Sequence, residues 1–173
     1  MVLNIDIIEG EDAIAIANEI YNLRISSWKP FIDDEIKLNR FTFDNFDSSG
    51  CHVCIRNDGH ELIAASRLCV IYEGETLPDE ISFSLVKDKM TFPAIFLNRS
   101  VVHPLYRGNN LWELMINKRL ELANTLDARE IWIETCANRK AHLINDGFKV
   151  IGPSQDKEIA GDWFLLRKIL SGD

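Results

Sequence analysis

No stretch of this chain approaches the roughly 20 consecutive apolar residues that a bilayer-spanning helix needs, so no membrane partner is expected. Cations are scarce beside acids: 19 Lys and Arg stand against 27 Asp and Glu, a formal net charge of −8. That balance repels a phosphate backbone and argues against nucleic acid as a partner. Four cysteines, Cys51, Cys54, Cys69 and Cys136, are too sparse for a secreted disulfide scaffold. The first twelve residues have no basic residue ahead of their apolar part, and acids follow at once, so neither a signal nor a transit peptide is read there. A reducing, cytoplasmic setting is the expectation. Internal repeats, low-complexity tracts and Pro-, Gly- or Ser-rich linkers are also missing. The 173 residues, 46% of them hydrophobic, suit a single domain spanning residues 1–173 with one well-buried core.

Hydrophobic periodicity supplies the organisation. Residues 2–8 are a short β-favouring run that breaks at Glu9-Gly10. Over residues 12–25, Ile16, Ile20 and Leu23 recur at helical spacing beside Ala13 and Ala17, which predicts an amphipathic helix. A shorter helix is expected over residues 33–41, then an acidic, aromatic loop over 42–50. Strands are expected over 51–56 and 61–72, joined by Asn57-Asp58-Gly59, whose Asp-Gly pair accepts positive φ cheaply. Residues 94–102 form a third strand of this region. The turn Arg107-Gly108-Asn109-Asn110 then opens a helix to about residue 126, with Leu111, Leu114, Met115 and Leu122 on one side. Residues 131–135 read as a buried strand and 138–145 as a short helix stopped by Gly147. Residues 148–151 and 163–169 close as an antiparallel pair. The result is mixed α/β, of the α+β kind, around a largely antiparallel sheet.

The chemistry concentrates in residues 98–151. A Gly-containing turn between strand and helix leaves the first helical N–H groups free, and with the helix dipole they attract a phosphate. Arg107 adds a cation beside that turn, although Gly and Asn at a helix start are also ordinary caps. Glu134 can accept a proton directly or through water, or simply pair with a neighbouring cation. His103 is a base candidate or a solvated turn histidine. Cys51-His52-Val53-Cys54 with His60 hints at a metal, but on a strand Cys51 and Cys54 point to opposite faces, so no metal site is expected. The acidic clusters Asp33-Asp34-Glu35 and Asp44 to Asp47 read as solvated loop faces, or as the lining of a site for a cationic amine.

Val102, Pro104, Tyr106, Arg107, Gly108, Asn138, Ala141, Gly147 and Phe148 together resemble the signature of the GCN5-related N-acetyltransferases. That resemblance implies a mixed, largely antiparallel sheet of six to seven strands flanked by about four helices. It implies an acyl-CoA-dependent N-acyltransferase, acetyl-CoA or another acyl-CoA being the donor and a small-molecule amine the acceptor. The pyrophosphate would sit on the N–H groups of Gly108, Asn109, Asn110, Leu111 and Trp112. The pantetheine arm would pair with the backbone near Val101 and Val102 and meet Asn138. The amine would attack the thioester directly, with Glu134 or His103 as the proton acceptor. Asn110 and Trp112 stand where the family has later glycines, and Leu143 where it has a tyrosine acid. Asn110 can keep the left-handed turn, whereas the Trp112 indole could fill the groove.

A second, upstream resemblance is to acyl-homoserine-lactone (autoinducer) synthases, carried by Arg24, Trp28, Asp44, Asp47, Arg67 and Arg99, with Thr42 and Phe96 in place of that family's carboxylates. It implies an alternative in which an acyl-carrier protein delivers the acyl group. A third alternative is a catalytically degenerate binding or interaction module on the same fold. A homodimer stays open in all three.

Overall fold

In the computed structural model, residues 2–32, 34–156 and 161–170 are described. Asp33, where the second helix and the first acidic cluster were expected to begin, lies outside them. The chain opens with β1 (Asn4–Glu9), α1 (Gly10–Ala15) and α2 (Ala17–Trp28). The one helix expected over 12–25 is therefore two, parted at Ile16, whose φ/ψ of −102°/13° leaves the helical region. The β-branched residues Ile14 and Ile16 weaken the ladder there. Next come α3 (Glu35–Leu38), a 3-10 turn (Asn39–Phe41) and α4 (Asn45–Ser49). The last of these replaces the expected loop, because Asp44 and Asp47 form a reciprocal capping box. Asp44 Oδ1 accepts from the Asp47 N–H at 3.0 Å, and Asp47 Oδ2 from the Asp44 N–H at 2.8 Å.

Strands β2 (Cys51–Arg56) and β3 (Leu62–Ile71) pair as expected, but their turn differs. The positive φ falls on His60, at 62°, and not on Gly59. Asn57 and Glu61 close a longer loop: the Asn57 N–H donates to the Glu61 carbonyl at 3.1 Å, and the Asn57 Oδ1 accepts from the Glu61 N–H at 2.9 Å. Then follow α5 (Glu80–Phe83), a 3-10 run (Ser84–Lys89), β4 (Ala94–Val102), a 3-10 turn (Pro104–Tyr106) and α6 (Leu111–Ala123). The chain continues through β5 (Glu130–Cys136), α7 (Ala137–Asn145), β6 (Lys149–Pro153) and β7 (Trp163–Ile169). Three helices, α2, α6 and α7, are long. The others are single turns of six residues or fewer, which accounts for the excess over about four.

The seven strands run in the order β1-β2-β3-β4-β5-β7-β6. Pairs β1–β2, β2–β3, β5–β7 and β6–β7 are antiparallel, and β4–β5 is parallel from Ala94↔Glu130 to Leu97↔Ile133. The expected closing pair does form, with β7 on the inner side, next to β5.

Two compact units emerge, residues 1–68 with 99–122 and residues 69–98 with 123–173. Apolar side chains from both sheet faces fill the first unit. Ile20, Leu23, Cys54, Leu62, Ala65 and Val101 form one cluster, and Val53, Ile55, Ile63, Ala64, Leu111 and Met115 the other. Burial pushes the Cys54 thiol up to about 12, so it packs as a small apolar group. In the second unit, Phe83 meets Phe96 and Trp132 edge-on, at 5.2 and 6.1 Å between ring centroids. Glu130 is fully buried beneath them and accepts from the Trp132 Nε1–H and the Thr91 N–H, each at 2.7 Å. These bonds offset much of the cost of burying a carboxylate.

Candidate functional site

In the first unit the phosphate turn takes the shape its residues allow. Gly108 and Asn110 both have positive φ, 81° and 56°, conformations that glycine and asparagine accept at least cost. The helical ladder of α6 begins with the Leu114 N–H donating to the Asn110 carbonyl at 3.1 Å, so the amides ahead of it lie at the positive end of a long helix. Residues 107–110 are exposed, Leu111 is buried as the first core contact of α6, and Trp112 is partly buried. A Cβ placed on Gly108 meets nothing within 4 Å, so the backbone is open to a ligand there.

Two side chains of the motif face the protein. Tyr106 Oη accepts from Asn57 Nδ2 at 2.9 Å and donates to Glu61 at 3.3 Å, tying the turn to the β2–β3 loop. The Arg107 guanidinium donates to the Ser27 carbonyl at 2.8 Å and lies 5.1 Å from the Phe31 ring. The cation expected beside the phosphate seat is thus clasped to the end of α2. Val101 is buried, and the Val102 carbonyl accepts from Ser27 Oγ at 3.2 Å. At His103, Nδ1 accepts from the Leu105 N–H at 3.3 Å.

Residues of the upstream resemblance assemble into one ion network in the same unit, buried at Arg24, Asp47 and Arg67 and partly exposed at Asp44 and Arg99. Arg24 makes a two-pronged bond to Asp47, at 2.6 and 2.8 Å. Arg67 bridges Asp47, at 2.9 Å, and Asp44, whose other oxygen lies 3.3 Å from Arg99. Arg99 is held in β4 at a φ of 55°, donates to the Arg40 carbonyl at 2.6 Å and covers Phe41, itself stacked on Trp28. Asp44 and Asp47 are therefore not the solvated loop face that was expected. Burial alone would raise the Asp47 carboxyl. The bond and charge of Arg24, the charge of Arg67 and the Asp44 amide outweigh it and hold the carboxyl well below the usual range. His52 donates from Nε2 to the Asp47 carbonyl at 2.8 Å, and burial pulls its pKa down, keeping it neutral.

In the second unit Glu134 lies on β5 opposite Leu165 of β7. Burial raises its pKa, as do the charges of Asp79 and Asp156, while the hydroxyls of Ser154 and Ser82 pull it back. None of these four neighbours carried a sequence signal, because their order in the chain gives no hint that they converge. Beyond Glu134, Cys136 Sγ donates to Asn138 Oδ1 at 2.7 Å where β5 passes into α7. Among the described residues no group of His, Cys, Asp or Glu is arranged to hold a metal. Nor is any helix there long and apolar enough to cross a membrane.

No family model and no curated protein matches the chain. Solved structures do. One from Corynebacterium glutamicum, called histone acetyltransferase HPA2 and related acetyltransferase, superposes with a TM-score of 0.70 at 15% identity, covering 100% of this chain and 99% of that one. The chain has the fold of the GCN5-related N-acetyltransferases. An acyl-CoA N-acyltransferase from Pseudomonas aeruginosa shares this acetyltransferase fold at a TM-score of 0.67 and 16% identity, over 96% of this chain and 99% of its own. The PaiA N-acetyltransferase of Thermoplasma acidophilum, solved with coenzyme A, does so at 0.60 and 14%, over 98% and 100%.

Proposed function

We propose that the chain is an N-acyltransferase that moves an acyl group, acetyl in the first instance, from coenzyme A to a small primary amine. The observation that carries this reading is the exposed Gly108–Asn110 backbone at the start of a long helix, with two left-handed residues and open space at Gly108. Its shape suits a pyrophosphate, and the coenzyme A complex of the Thermoplasma relative on the same fold supports that choice. Gly108, Asn109, Asn110, Leu111 and Trp112 hold the phosphates through their amides, and Val101 and Val102 flank the acyl arm. Glu134, partly buried on β5, removes the proton from the ammonium form of the acceptor. Asn138, where β5 passes into α7, meets the pantetheine arm.

A thermal-shift titration with acetyl-CoA, longer acyl-CoAs and free coenzyme A tests the reading. A ligand at about 100 times its Kd adds roughly 2.7 kcal/mol and lifts the midpoint by about 5–10 °C in a chain of this size. No shift with any of them sinks it.

A second reading is favoured by the ion network. Arg24, Asp44, Asp47, Arg67 and Arg99, drawn from distant parts of the chain, meet as one cluster. On this reading the acyl group arrives on an acyl-carrier protein. Acyl transfer from the carrier-bound thioester, with none from the matching acyl-CoA, would select it.

A further inference from the structure

Asn57 is only 8% exposed, and both polar atoms of its side chain are engaged. Its Oδ1 accepts from the Glu61 N–H at 2.9 Å. A backbone N–H can only donate, which fixes the orientation of the amide. Nδ2 is thereby turned to Glu61 Oε2, at 3.0 Å, and to Tyr106 Oη, at 2.9 Å. The Tyr106 hydroxyl accepts there and donates to the same Glu61 oxygen at 3.3 Å. Amide, carboxylate and phenol close a ring of hydrogen bonds between the β2–β3 loop and the entry to the phosphate turn.

That ring explains why the hairpin is wide. The Asp58-Gly59 pair suits a tight two-residue turn. The chain instead opens the loop to residues 57–61 and places a φ of 62° on His60, a region its Cβ disfavours. The wider loop sets Asn57 and Glu61 side by side, facing Tyr106. Arg56 donates to the His60 carbonyl at 2.9 Å and holds the same loop independently of that ring.

Tyr106 is the joint through which the loop reaches the seat. Its N–H donates to the His103 carbonyl at 2.9 Å, and its own carbonyl accepts from Asn109 Nδ2 at 2.9 Å. Fixing its side chain therefore fixes the peptides that lead into Gly108 and Asn110, both left-handed and exposed. A seat built of backbone amides binds well only when those amides already point at one place, since ordering them on binding subtracts from affinity. We infer that Asn57 and Glu61 are positioning residues for the pyrophosphate of coenzyme A, acting through Tyr106 on the Gly108–Asn110 turn without touching the ligand. This rests on the coenzyme A reading and adds to it two residues from outside the turn.

The test is the Kd of free coenzyme A, measured by calorimetry on the full chain at a temperature where each variant is folded by circular dichroism. Asn57→Asp keeps an oxygen for the Glu61 N–H but replaces the donor to Tyr106 with an acceptor that faces the Glu61 carboxylate. Tyr106→Phe removes the hydroxyl alone. Each should raise the Kd about tenfold. Adding Glu61→Gln to Asn57→Asp rebuilds the ring with donor and acceptor exchanged, and should return the Kd to within about threefold of the parent chain.

A brace that served stability alone would lower the urea midpoint and leave the Kd of the folded protein where it was. A folded single variant of either kind with the parent's Kd therefore overturns the inference. So does a double variant that binds no better than Asn57→Asp. A parent chain that binds no coenzyme A refutes the acyltransferase reading and this inference together, whereas binding by the parent with unmoved variants refutes this inference alone.

Discussion

Asp47 organises the polar interior of the first unit: it neutralises Arg24 and Arg67, caps α4 and receives His52 on its carbonyl. Replacing it strands the buried Arg24 guanidinium and leaves Arg67 with Asp44 alone, so Asp47→Asn should cost about 3–5 kcal/mol, read by urea denaturation. The pH dependence has a definite sign. A carboxyl held below its ordinary value of 3.8 adds stability above that pH and loses it as pH falls toward the folded value. Acid unfolding below about pH 4 should therefore be shallower in the variant than in the parent chain. Glu134 behaves in the opposite sense. Its carboxyl is raised by burial and by Asp79 and Asp156, against Ser154 and Ser82. The acidic limb of kcat/KM should accordingly fall above the ordinary 4.5, and Glu134→Gln should lower the plateau by about 10²–10⁴-fold and abolish that limb. The motif around Gly108 was legible because glycine and asparagine announce their backbone. Asp44 and Asp47 were misjudged because their partners lie 23 and 55 residues away, where local polarity reads only as a wet loop.

Among the elements, the long periodic ones were legible: β4 appears over the residues expected, and β5, α7 and β7 within one or two. Short elements were not. A capping box made of two aspartates replaces the Ser/Thr-to-Glu pattern that usually marks a helix start, and α5 is too short for any period to show. At the entry to α6 the backbone carries the chemistry, which separates two substitutions. Gly108→Ala places its methyl in open space, so the stability cost is the left-handed strain alone, about 1–2 kcal/mol or about 2–8 °C of midpoint. Coenzyme A affinity should fall further than that strain explains, measured by calorimetry at a temperature where the variant is folded. Arg107→Ala releases the Ser27 carbonyl and Phe31 from their clasp. It should weaken coenzyme A binding by about tenfold, by loosening the turn and by removing a nearby cation.

For the molecule as a whole, the charge of −8 acts on every approaching ligand. A cationic amine should be drawn in, and the attraction screened as salt rises from about 0.01 to 0.1 M and the Debye length shrinks from about 30 to 10 Å. The kcat/KM for such an amine should fall over that range. The fold class itself was legible from element order, because strands and helices alternate in a way few arrangements satisfy. The place of β7 was not, since hydrophobic patterning says that a strand is buried and leaves its neighbours unnamed.

That place has a consequence during synthesis. Residues 163–169 fill the slot between β5 and β6, although β6 leaves the ribosome first. Until β7 is released, β5 and β6 wait with unsatisfied edges, open to other nascent chains. A stop codon upstream of Trp163 would produce two sticky strand borders where the full chain has a zipped centre.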